Sequence, residues 1–125
     1  MDGRPLGALN LGERVYRVAV DRASTVWAST GSATYHISRD LRVIDRASTS
    51  GGVESLIAFD TSGNLYVAEP PEIHKVSPSG SMQSWGSSGK APGQFSSWIA
   101  AISVDAQGHV YVLDAGNNRI QQYTP

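Results

Sequence analysis

The chain has 125 residues, enough for a single domain, and 40% of them are hydrophobic, enough for a packed core. Its net charge of −1 lacks the basic excess that marks nucleic-acid binding, so nucleic acid is not expected as a partner. No apolar run approaches the ~20 residues of a membrane-spanning helix, and the absence of cysteine excludes disulfides, thiolate metal sites and cysteine nucleophiles.

The elements follow in chain order. Residues 4–12, with Leu6, Ala8 and Leu11, read as one short strand. The opening Met1-Asp2-Gly3-Arg4-Pro5 lacks the basic start and apolar segment of a signal peptide. A complete chain of this kind is expected to be cytoplasmic. Val18–Val20 and Val26–Ala28 flank a polar turn from Asp21 to Thr25, which makes a β-hairpin. Thr34–Ile37 and Leu41–Ile44 are a third and a fourth strand, and the Ser/Thr/Gly-rich stretch from Asp45 to Glu54 reads as an exposed connection.

A second unit repeats the plan. Its strands are Ile57–Phe59, Leu65–Ala68, Ile73–Val76 and Met82–Trp85, with the stiff loop Glu69-Pro70-Pro71-Glu72 between the second and third. A long Gly/Pro connection, Gly86 to Phe95, leads to a third unit: Ile102–Val104, Val110–Leu113 and Arg119–Tyr123. Asp60 and Asp105, Gly63 and Gly108, and Tyr66 and Tyr111 all lie 45 residues apart, while Asp21 and Trp27 precede Asp60 and Tyr66 by 39. No stretch carries a helical stripe with caps. Short strands at a period of about 40 residues fit four-stranded antiparallel blades of a β-propeller. In the first hairpin Ser24 replaces the turn glycine, so a different turn type is expected there.

The pattern Asp-x-x-Gly-Asn/His-x-Tyr-Val, the run Asn117-Asn118-Arg119-Ile120-Gln121, and Trp85-Gly86 followed by Pro92-Gly93-Gln94-Phe95 resemble the NHL-repeat propeller family. The likeness is close from Asp105 to Tyr123, fair from Asp60 to Val76, and weakest in the first unit. It implies an all-β fold with three blades: blade one at about 16–45, blade two at about 56–86, and three strands of blade three at about 100–124. Rings of this family typically have six or more blades, so three cannot close one. The segment at about 4–12 would supply the outer strand that blade three lacks, which leads to the expectation of a homodimer closing a six-bladed ring.

The recurrent Asp21, Asp60 and Asp105 are read as turn-holding residues, because an Asx side chain can bond the backbone two residues on. Trp27, Tyr66 and Tyr111 are read as packing between blades. His36, His74 and His109 show no paired metal spacing; the first two read as strand-surface residues and His109 as a solvated turn residue. No metal and no cofactor is assigned. The resemblance places ligands on the face formed by the loops between second and third strands and those entering the next blade. There it implies Glu69, Glu72, Trp98, Asp114, Asn117, Asn118 and Arg119 as candidate ligand-binding residues, with Arg119 also expected to pair with an acid and Trp98 equally readable as a wedge between blades. The expected function is a binding or scaffold module for a protein, peptide or glycan. The alternative is a metal-dependent propeller enzyme of the lyase or lactonase type.

Overall fold

The computed structural model describes residues 3–48 and 56–125. The strands are β1 Val15–Val20, β2 Val26–Thr30, β3 Ala33–Ile37, β4 Val43–Ser48, β5 Leu56–Phe59, β6 Leu65–Glu69, β7 Glu72–Val76, β8 Met82–Trp85, β9 Ile99–Val104, β10 Val110–Asp114 and β11 Arg119–Tyr123. They form three antiparallel meanders, β1-β2-β3-β4, β5-β6-β7-β8 and β9-β10-β11, which are blades one, two and three. The first strands β1, β5 and β9 lie side by side, so each blade radiates from a common inner edge.

Side-chain alternation fixes which face each strand hides. In β10, Val110, Val112 and Asp114 are buried while Leu113 is exposed. Val110 and Val112 join Leu56, Tyr66, Ala68, Ile73, Phe95 and Ile99 in one apolar cluster between blades two and three. A second cluster of Ala28, Ala33, Tyr35 and Ile37, with Leu11, Val26 and Leu41 against it, lies on blade one. Gly86 is required where the connection leaves β8. Its φ is +108°, and a Cβ there would stand 2.6 Å from the Pro71 carbonyl oxygen and 2.9 Å from the Phe95 ring.

The first hairpin does not have a turn of its own type. Ser24 takes φ +61°, alongside +85° at Gly63 and +89° at Gly108. In all three turns the aspartate N–H donates to the carbonyl four residues on, and its carbonyl accepts from the residue three on. The closing bonds of the turn impose the left-handed conformation on serine. Two boundaries also shift. Ser38–Arg42 is a turn with Leu41 at φ +58°, so β4 begins at Val43 and runs through part of the expected connection to Ser48. The rest of that connection lies outside the described residues. Residues 3–14 form no strand within the single chain. They run from the Leu41 side chain, beside Gly7, to the Ser32 turn, where Glu13 accepts from Ser32 Oγ and the Tyr35 hydroxyl, both at 2.7 Å.

Candidate functional site

Two opposite faces must be distinguished. On one, the turns joining first to second strands converge. Val20-Asp21-Arg22, Phe59-Asp60-Thr61 and Val104-Asp105-Ala106 line an open depression of about 530 Å³. The three carboxylates there are occupied by their own turns. Asp60 Oδ1 accepts from the Ser62 and Asn64 N–H groups at 2.9 Å, and Oδ2 from Asn64 Nδ2 at 2.7 Å and the Tyr66 hydroxyl at 3.1 Å. Asp105 is bonded in the same way by Gln107 N, His109 N, His109 Nδ1 and the Tyr111 hydroxyl. In blade one Thr25 and Trp27 Nε1 supply the same donors to Asp21. Partial burial pushes each carboxyl up, but these donors outweigh it and hold all three below the ordinary value.

His109 is therefore not simply a solvated turn residue. It occupies the place of Asn64 and Thr25 and binds the turn aspartate at 3.0 Å. The recurring aromatics do more than pack: Trp27 lies 5.6 Å from Phe59 across the blade boundary, but its indole N–H, like the Tyr66 and Tyr111 hydroxyls, also bonds the turn carboxylate. The constant six-residue spacing from aspartate to aromatic was the signal for this. His36 is partly covered by stacking on Trp27 at 4.2 Å.

The opposite face carries all seven candidate residues, and the structure divides them. Asp114 is fully enclosed. Its Oδ1 accepts from Ser96 N at 3.0 Å and Ser96 Oγ at 2.7 Å, and its Oδ2 from Asn117 Nδ2 at 2.8 Å and Arg119 Nε at 3.0 Å. Burial pushes this carboxyl up, but Asn117, Ser96 and Arg119 outweigh it and bring it to about 2. Arg119 also donates to the carbonyls of Lys90, Ala91 and Gln94. Asn117 reaches the Gly89 carbonyl at 2.9 Å, and Asn118 sits at φ +53°, closing the 3-10 turn Ala115–Asn117. Asn117 and Arg119 tie the Gly86–Phe95 connection to blade three, and Asp114 holds both of them in place.

The remaining three candidates face solvent. The side chains of Glu69 and Glu72 are 59% and 52% exposed, and both carboxylates lie near His74 Nε2, at 3.7 and 3.8 Å. Trp98 is 65% exposed, unusual for an indole. Its backbone is held firmly: its N–H donates to Ser96 Oγ at 3.1 Å, and its carbonyl accepts from Gly116 N at 3.2 Å. Among the described residues no three His, Asp or Glu side chains are grouped to hold a metal ion.

Radiating antiparallel meanders about a shared inner edge are the blades of a β-propeller. Residues 97–123, which span blade three, match the family described as NHL repeat. No curated protein sequence matches the chain. Solved structures share the fold. Virginiamycin B lyase from Staphylococcus aureus superimposes with a TM-score of 0.58 at 16% identity, over 93% of this chain and 43% of that one. A streptogramin B lyase gives 0.60 at 11% identity, over 93% and 42%. A catalytically inactive form of the S. aureus enzyme, solved with quinupristin, gives 0.59 at 14%, over 99% and 46%. The chain thus spans less than half the length of these propellers, and identities this low establish the fold alone.

Proposed function

We propose that this propeller segment is a binding module, and that its ligand, a protein, peptide or glycan, docks on the face bearing Trp98, Glu69 and Glu72. The observation that carries this reading is Trp98 itself. An indole 65% exposed on a clamped backbone suits an aromatic anchor, because the backbone part of its ordering cost is met before binding. Glu69 and Glu72 give the same face acceptors for cationic groups or sugar hydroxyls.

Peptide and glycan arrays probed with the intact chain and with Trp98→Ala test the reading. Binding to a defined class that falls at least ~10-fold in the variant is expected from loss of an aromatic anchor. No binding to either array, or binding indifferent to Trp98→Ala, overturns it. The lyase reading rests on fold likeness to the streptogramin lyases. Cleavage of quinupristin in the presence of a divalent metal would replace the binding reading with that one.

A further inference from the structure

The chain's own interior shows what its two open flanks fit. Blade three turns one face away from blade two, and that face holds Tyr111, Leu113 (39% exposed) and Ile120 (69% exposed). The 45-residue offset makes Tyr66 and Ala68 the counterparts of Tyr111 and Leu113. The terminal pairs Asp114↔Arg119 and Glu69↔Glu72 make Ile73 the counterpart of Ile120. In blade two these positions are 1%, 1% and 0% exposed, because blade three covers them.

Blade one's free flank is the other half of the same contact. Val15, Val18 and Val20 are 43%, 64% and 60% exposed. Their counterparts, 84 residues on, are Ile99, Ile102 and Val104, which pack into the cluster against blade two. Leu11 stands ten residues before Asp21 as Phe95 stands ten before Asp105. Phe95 is the wedge buried between blades two and three, and Leu11 already lies on blade one's flank.

We propose that the two flanks are complementary halves of one interface, and that a second copy of this chain covers them, blade three of each against blade one of the other. The contact repeats the blade two–blade three packing, register for register. Charge favours the same arrangement. Blade one, residues 15–48, holds five Arg against three Asp, a net +2, and blade three, residues 99–123, holds one Arg against two Asp, a net −1. Blade three has three strands, and β11 is its outer edge. Residues 3–12 of the partner, which form no strand in the single chain, would add to that edge as a fourth strand. Two chains then make six blades with neither flank exposed to water.

Light scattering and native mass measurement of the 125-residue chain test the proposal. The expected species has twice the 13.3 kDa chain mass. Ile120→Glu and Val18→Glu, on opposite flanks, should each weaken the dimer by more than ~100-fold, because each buries an unpaired charge at the contact. Both residues are exposed in the single chain, so the circular dichroism spectrum should not change. Met82→Glu, on the outer strand of blade two, should leave the dimer intact. A wild-type chain that remains at 13.3 kDa, a ladder of larger species, or flank variants that dissociate no more readily than Met82→Glu overturns the proposal.

Discussion

Asp114→Asn is the most informative single change within blade three. Four donors converge on this enclosed carboxylate, and they bring its pKa from the ordinary 3.8 to about 2. A group whose folded pKa lies below its unfolded value stabilises the fold fully above the unfolded value and loses that contribution as pH falls through the folded one. For Asp114 the window therefore runs from about pH 4 down to about pH 2, and the linkage amounts to about 2 kcal/mol at neutral pH. Asparagine preserves the shape but cannot take the charge, leaving Arg119 with three carbonyls and no counter-ion. Urea unfolding of both proteins from pH 7 to pH 2 measures the difference. We expect it to be about 2–3 kcal/mol at neutral pH and mostly gone by pH 2, because the wild-type side chain is then losing its charge as well. A difference that stays constant across that range, or one below about 1 kcal/mol at pH 7, refutes the charge argument.

Two other changes test the turn locks. Asp60→Ala should cost about 3 kcal/mol in urea unfolding, since it removes an ionised acceptor of four hydrogen bonds, one of them from the hydroxyl of Tyr66, a residue 1% exposed. Measured on the dissociated single chain, Asp105→Ala should cost clearly less, because Tyr111 and His109 can turn to water there; equal losses would contradict the role given to burial. Ser24→Gly should raise stability by about 0.5–1 kcal/mol by relieving the left-handed serine at φ +61°, read as an increase in urea midpoint at unchanged slope.

The fold was legible because its signals are local and repeated. Asp60, Gly63 and Tyr66 recur as Asp105, Gly108 and Tyr111, and each triplet makes one hairpin without help from distant chain. The first turn was misread because glycine is the usual answer to a positive φ but not the only one; the bonds from Thr25 and Ser24 to Asp21 force the same geometry on serine. The site was legible in position but not in role. The Asn117-Asn118-Arg119 run marks the correct loop, yet spacing cannot show that Asp114, Asn117 and Arg119 spend their hydrogen bonds on one another and on residues 89–94. Trp98 was separable from them only by exposure, which sequence does not encode.

Blade one repays comparison with its neighbours. Toward blade two it presents Ser29 and Thr34 where blade two presents Ala68 and Ile73 to blade three. The Ser29 hydroxyl is buried there without a partner among the described residues. The boundary between blades one and two is accordingly more polar than the next one, and the two apolar clusters remain separate. Val15, Val18 and Val20 instead point the other way, onto the free flank, while Ala28 and Ile37 lie buried on the same side in the cluster with Leu11, Val26 and Leu41. A blade with three exposed valines on that flank gains stability from whatever covers it. On the proposed pairing, association adds to the stability of a blade one that is already folded in the single chain. The unfolding midpoint should then rise with protein concentration, as it does not for a self-sufficient monomer.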